Sequence, residues 1–433
     1  MKISKFFVSG LCLMSLLLGC TAVPLTPTVS PVSSPEPSPT QSLPAPTLTA
    51  TPTSSQGLIT LTLWVPDFLN PYDETTGGAL LLEQIADFTA HNRDVQVEVL
   101  VKQASGTGGL YDLLSTAYFV APSVLPDLVI LGSADLRTAF NDKIIQPLPA
   151  ADAEASRFFS FADQSTQFDD LSYGVPFLAQ MEQTVYTARV STTRPFSWTG
   201  VLSEGYTLLF PAGPADGQAD DALLAMYLAS NKTIVDEQGS PMLERGALEE
   251  LYRFFAAMLE FESLDAARVL TLKDADACWE AYRQRQGTLS IVPAETYWTE
   301  TTRVGLPGWI PTRDGDPISL AETWSFALVT NDLARQEAAR ELADWLTDAE
   351  RVAELSRSVR LLPANRDAVA LWSLTPEEAE FLAQLMQAAD PLVPPAQAQP
   401  VKRALQAGLE LLLKGGGTTP EQAATHALTV LRK

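Results

Sequence analysis

The residues able to do chemistry are few in kind. The 433-residue chain holds two histidines, His91 and His426, and three cysteines, Cys12, Cys20 and Cys278. A Ser-His-Asp triad, a His-rich metal site or a His general base would have to draw on those two imidazoles, which disfavours hydrolytic chemistry of that kind. No metal and no cofactor is expected. Carboxylates are plentiful, 52 Asp and Glu against 29 Lys and Arg. A glycosidase needs a facing pair of them, but with so many acids coincidental pairs are unavoidable, and none carries a local signature. Gly106-Thr107-Gly108-Gly109, ahead of a helical stretch, could offer N–H groups to an anion or a hydroxyl, or be a flexible turn. It lacks both the Gly-x-Gly-x-x-Gly spacing and a Gly-Lys-Ser/Thr ending, which argues against a nucleotide site. The net charge of −23 leaves no basic field for nucleic acid and favours solubility. Cys278 stands alone in the body, a small buried hydrophobe in a helix or a reactive thiol, and implies no disulfide framework.

The N-terminus carries a different signal. Lys2 and Lys5 precede an uncharged run from Phe6 to Leu18, the charged and apolar regions of an export signal, too short to span a bilayer comfortably. It ends Leu17-Leu18-Gly19-Cys20, which resembles the lipobox of bacterial lipoproteins. The resemblance implies cleavage after residue 19 and a lipidated Cys20, anchoring the protein outside the cell membrane. The 37 residues from Thr21 to Gly57 then include nine Pro, seven Ser and eight Thr, with Glu36 as the one charge. Such a stretch cannot bury enough apolar surface to offset its ordering entropy. At about 3.1 Å per residue its extended reach is at most on the order of 115 Å. Residues 20–57 therefore read as a tether between an anchor and a globular body.

The body opens with three β-then-α units. Leu58–Val65, Val95–Val101 and Leu125–Leu131 read as strands, followed by helical spacing over Leu80–His91, Leu110–Val120 and Ser133–Phe140. Alternation of this kind argues a parallel sheet covered on both faces, an α/β fold. Beyond residue 150 come an apolar segment from Tyr173 to Tyr186, helices over Asp221–Ser230 and Gly246–Glu262, and short strands at Thr288–Val292 and Trp324–Val329. Five helices close the chain: Ala334–Leu346, Ala349–Arg357, Pro376–Ala389, Val401–Leu413 and Pro420–Leu431. Thr375 and Thr419 are expected as caps before Pro376 and Pro420.

If the first three strands are parallel, the loops after them gather on one edge. Trp64, Phe68 and Tyr72 put aromatic rings there, with Asn70 between them. Rings with convergent polar groups suit a sugar, whose C–H face packs on an aromatic face while its hydroxyls take hydrogen bonds. The same rings could equally close the top of a core. Ser133 and Asp135, after the third strand, are contact candidates that compete with helix capping.

With these features in order, residues 58–433 resemble an extracellular solute-binding protein of an ABC importer, of the family that includes maltose-binding protein. The resemblance rests on the opening strand ending in Trp64, on Pro126-Asp127-Leu128-Val129-Ile130, and on Tyr173-Gly174-Val175-Pro176 with Tyr186 beyond. Gly287–Val292 with Tyr297-Trp298, Ala339–Leu346 and Leu361-Leu362-Pro363-Ala364-Asn365 complete it. It implies a two-lobed periplasmic-binding-protein-like fold with a hinge. Lobe one would be 58–173 plus 318–368, and lobe two 174–317 plus 369–433. It adds Gln180, Met181 and Glu182 at the first crossover, where a contact or a solvated turn would fit equally, Tyr297 and Trp298 as lobe-two aromatics, Trp324 at the second crossover, and Arg360 before the Leu-Pro turn. Ala294-Glu295-Thr296 departs from the small, Gly-containing turn expected ahead of those aromatics. The implied protein is a monomer without enzymatic activity. It would capture a sugar or other small solute between its lobes and hand it to ABC permease subunits. Alternatives are a sensory or structural lipoprotein of the same fold and an extracytoplasmic glycosidase.

Overall fold

Alternating apolar residues set the first strand, β1 (Ile59–Pro66), with Leu61, Leu63 and Val65 fully buried. The computed structural model describes residues 57–74, 77–148, 156–188, 196–213 and 216–433. The export signal, Cys20 and nearly all of the Pro/Ser/Thr-rich stretch lie outside the described residues. From β1 the chain runs through α1 (Ala79–His91), β2 (Val95–Lys102), α2 (Leu110–Val120), β3 (Leu128–Gly132), α3 (Ser133–Asn141) and α4 (Ser160–Thr166). The middle comprises β4 (Val175–Tyr186), β5 (Leu208–Leu209), α5 (Asp221–Asn231), α6 (Arg245–Glu260), α7 (Ala275–Arg283), β6 (Leu289–Pro293) and α8 (Ala294–Thr299). Then follow β7 (Leu306–Gly308), β8 (Ser319–Leu328), α9 (Leu333–Leu346), α10 (Ala349–Ser358), β9 (Leu362–Pro363) and α11 (Pro376–Gln387). The chain closes with β10 (Ala389–Pro391), α12 (Pro395–Leu413) and α13 (Pro420–Leu431).

The strands form one ten-stranded sheet in the order β2-β1-β3-β8-β4-β6-β5, with β7 and β9 also pairing to β4 and β10 to β8. β1 is parallel to β2 and β3, as the alternating units require. Beyond these three strands the sheet is mixed, as the less regular pattern after residue 150 suggests. β8 runs antiparallel to both β3 and β4, and β4 antiparallel to β6. β4 has 12 residues and β8 has 10, so each is long enough to pair with different partners along its length. The first half of β4 pairs with β8 and β9, and its second half with β6 and β7. Two helix-covered halves are thereby joined by shared strands, giving the two-lobed periplasmic-binding-protein-like fold.

Several boundaries differ from the sequence expectation for local reasons. β8 starts at Ser319, five residues before Trp324, because Glu322 interrupts the apolar run without interrupting the strand. α12 starts at Pro395 and carries Pro400 inside it; a proline in the first turns removes few helical hydrogen bonds. α4, α7 and α8 were not delimited from the sequence, being short or lacking clear periodicity. The expected caps are present. Thr375 and Thr419 each accept from the backbone three residues on, and Glu378 and Gln422 return the bond. Cys278 lies fully buried within α7, and burial raises its thiol far above the usual range, so it is the small hydrophobe rather than a reactive group.

Candidate functional site

The alternation of β4 sorts the residues around the strands common to both lobes. Gln180 and Glu182 are half-buried, whereas their neighbours Met181 and Gln183 are buried. Across the ladder Glu322 of β8 is paired with Gln180, and Trp324 with Leu178, so these side chains share one face. A bulge follows Trp324: Ser325 opposes Pro176, leaving Phe177 as the extra residue. The Trp324 indole N–H donates to Gln180 Oε1 at 3.1 Å. The Phe68 ring meets Trp324 edge-on, with centroids 4.8 Å apart. Gly132, at the end of β3, is directly opposite Trp324. A Cβ there would lie 2.6 Å from the Glu322 carboxyl and 3.6 Å from the indole, so only glycine leaves both in position.

Carboxylates from several elements converge on this face. Glu322 has Asp135 of α3 and Asp221 of α5 as electrostatic neighbours; burial, then those two charges, pushes its carboxyl up to about 7. Glu182 and Asp220, the cap of α5, lie within hydrogen-bonding reach of each other. Burial is the first cause of the upward shift in both. Lys402 of α12 is the cation in reach, its Nζ 3.0 Å from Asp221 Oδ1. Glu295, at the start of α8, is buried and raised to about 7 by that burial, although the Met181 N–H donates to it at 3.3 Å and Gln180 also bonds it. Ser133 faces a neighbouring cavity of about 250 Å3, walled by Arg137, Gln164, Ser165 and Pro391–Pro395.

Of the residues singled out from sequence, Phe68, Gln180 and Trp324 meet, with Asp135 beside Glu322 and Ser133 two residues before Asp135. The others are elsewhere. Trp64 packs with Leu110, Leu114, Val129 and Leu131 under α2, Lys102 lying 5.2 Å over its ring. Tyr72 is exposed and donates to the Val99 carbonyl at 3.3 Å, and its own N–H donates to Asn70 Oδ1 at 3.0 Å. Tyr297 and Trp298 were expected to present lobe-two aromatic faces; both are buried to 2% exposure. The Trp298 N–H donates to Gln183 Oε1 at 2.8 Å, and its ring packs on Tyr297 and on Phe381 of α11. The departure at Ala294-Glu295-Thr296 has a structural counterpart: it builds α8 directly onto β6, which turns the rings inward. Arg360 is exposed in left-handed backbone with φ 59°, close enough to Asp276 to oppose the burial that raises that carboxyl. Glu182, named at the first crossover, lies on this face as well, whereas Asp220, Asp221, Glu295, Glu322 and Lys402 were not put forward as contacts from sequence. The available signal was a lone charge inside an apolar strand, which Glu322 supplies. The other partners come from distant segments and carry no such mark.

No family model matches the chain, and no curated protein matches it. Among solved structures, it is similar to the sugar-binding protein MalE from the phytopathogen Xanthomonas citri, with a TM-score of 0.68 and 15% identity over 86% of this chain and 97% of that one. A cyclic α-maltosyl-1,6-maltose binding protein from Arthrobacter globiformis aligns with a TM-score of 0.65 and 16% identity over 87% and 98% of the two chains. Maltose-bound MalE3 from T. maritima gives a TM-score of 0.61 and 16% identity over 86% and 99%. The likeness is one of fold, and it spans nearly the whole of each relative.

Proposed function

We propose that the chain is the solute-binding subunit of an ABC importer, held outside the cell membrane by lipid on Cys20 and capturing a sugar between its lobes. One observation carries the reading. The strands common to both halves hold Trp324 and a hydrogen-bonding amide, Gln180, with Phe68 from the turn after β1 against the indole and carboxylates around them. A saccharide is matched by that combination, since C–H faces pack on rings while hydroxyls donate to carboxylates and accept from amides. Fold neighbours described as binding maltose and its oligomers support the sugar class without fixing it. Lobe one is taken as 58–173 plus 318–368 and lobe two as 174–317 plus 369–433. The contacts are assigned to Phe68, Ser133, Asp135, Gln180, Glu322 and Trp324.

The lobes would close on ligand through contacts made in one state and absent in the other. Thermal unfolding across a panel of mono- and oligosaccharides, amino acids and polyamines tests the binding. A saccharide at about 100 times its dissociation constant adds roughly 2.7 kcal/mol and raises the midpoint, and X-ray scattering should then show compaction. A panel in which only amino acids or polyamines raise the midpoint would overturn the sugar class. Binding without compaction would overturn the hinge.

A further inference from the structure

Five large hydrophobic side chains, Leu58, Phe119, Val120, Val124 and Leu333, are 57–80% exposed. Elsewhere among the described residues only Tyr72 and Phe261 reach that range. The topology brings the five to one edge of the sheet. β1 and β3 are parallel with Leu63 opposite Leu128, so Leu58, just ahead of β1, is level with the turn Pro122–Val124 that leads into β3. α2 ends at Val120 and passes straight into that turn. β8 is antiparallel to β3 with Leu328 opposite Leu128, so it leaves the sheet at the same edge, and Leu333 opens α9 there. Arg335 fastens the start of α9 to this edge, donating to the Thr60 carbonyl at 2.7 Å and pairing with Asp127. Phe68, Gly132 and Asp135 follow the opposite ends of β1 and β3, so the apolar group occupies the pole away from the candidate site. Scattered exposed apolar residues are ordinary; five gathered at one edge are not.

The occupant follows from the connectivity. The chain enters the body at Gly57–Ile59, at this edge, from a 37-residue segment, 20–56, that begins at Cys20. We infer that this edge docks on the lipid surface to which the chain is anchored, its apolar side chains entering the interfacial layer. The inference rests on the anchor in the proposed function. The net charge of −23 disfavours attraction to anionic headgroups, and what this edge offers a lipid surface is apolar side chains. In the docked state the candidate site faces away from the membrane, a posture for capturing solute, and handing it on requires undocking.

The test places a nitroxide at Val124→Cys, or at Phe261→Cys as the remote control, in the mature chain with Cys278→Ala, on phosphatidylcholine vesicles. Mass spectrometry first reports lipid on residue 20. If none is found, the anchor reading fails by itself. The chain is then held by a hexahistidine tag ahead of Thr21 on nickel-chelating lipid with Cys20→Ser, so the docking test proceeds unchanged. The expected result is a several-fold rise in oxygen over nickel-complex accessibility at position 124 on vesicles, none at 261, and loss of the rise with Phe119→Ser, Val120→Ser and Leu333→Ser together. Equal, aqueous accessibility at both positions would overturn the proposal. So would dipolar broadening between position-124 labels without vesicles, which would make a second copy the occupant.

Discussion

Two tryptophans donate their indole N–H to glutamines on the same strand, and their surroundings could hardly differ more. Trp324 bonds Gln180 and Trp298 bonds Gln183. Three residues apart on a strand means opposite faces. On the face of Gln180 lie the half-buried Phe68, Glu182 and Glu322, with Asp135 and Asp221 nearby. On the face of Gln183 lie Tyr297, Trp298, Phe381 and Trp309, a buried aromatic cluster. The same pairing of residue types is a candidate binding element in one place and a structural element in the other. What decides is strand parity together with what the second lobe puts opposite.

The sharpest way to break this comparison is to truncate one aromatic ring on each face. Trp298→Ala should cost about 3–5 kcal/mol, the range for truncating a buried aromatic. It also leaves Gln183 without its remaining hydrogen bond, since the Nε2 of that amide already has no partner. Binding measured on whatever fraction stays folded should be little changed. Phe68→Ala, on the other face, should cost far less stability and weaken ligand binding by about 1–3 kcal/mol, as loss of an aromatic anchor does. Denaturant titrations and calorimetry on both variants provide the check. If Trp298→Ala keeps its stability and loses the ligand, the assignment of the two faces is reversed.

How far the sequence could have foreseen this depends on the length scale of the signal. The first three β-α units were legible because their periodicity is local, and α2 and α13 begin and end where the spacing places them. The capping boxes at Thr375 and Thr419 were equally local. Phe68 and Trp324 were legible as candidates, one from its loop and one from the family resemblance. What could not be read was which aromatic faces which lobe. Tyr297 and Trp298 follow a strand just as Phe68 does, and only the turn into α8 and the arrival of Phe381, more than 80 residues later, bury them. Asp135 was legible from its place after the third strand and Glu182 from the crossover, but their meeting in a carboxylate cluster was not. Asp135, Glu182, Asp220 and Glu322 are ordinary acids until the crossover strands bring them together.

The cluster gives the comparison a pH dependence. Glu322 and Glu295 sit near 7 in the folded protein against about 4.5 for an exposed glutamate. The folded state therefore holds protons that the unfolded chain has released between about pH 4.5 and 7. Stability should fall as pH rises through that window and level off above it. Glu322→Gln removes one of these costs. It should stabilise the protein by about 1–3 kcal/mol at pH 8 and by little at pH 5, with a flatter melting profile between. A melting midpoint that rises from pH 5 to pH 8 in the parent protein would contradict the burial of these carboxyls.

The smallest effect on ligand affinity is expected at Gln180, and it separates positioning from contact. Its Oε1 accepts the Trp324 indole proton, and its side chain also bonds Glu295. Gln180→Leu keeps the volume and removes both bonds. The stability loss should be near 1 kcal/mol, the usual net worth of a hydrogen bond, plus the cost of an unpaired indole N–H. If Gln180 only holds Trp324 in place, Phe68→Ala and Gln180→Leu should be non-additive in ligand affinity, because both act through the same ring. If Gln180 touches the ligand itself, the two losses should add. A double-mutant cycle read by calorimetry distinguishes the two: additivity would uphold Gln180 as a ligand contact, and non-additivity would reduce it to a support of the aromatic face.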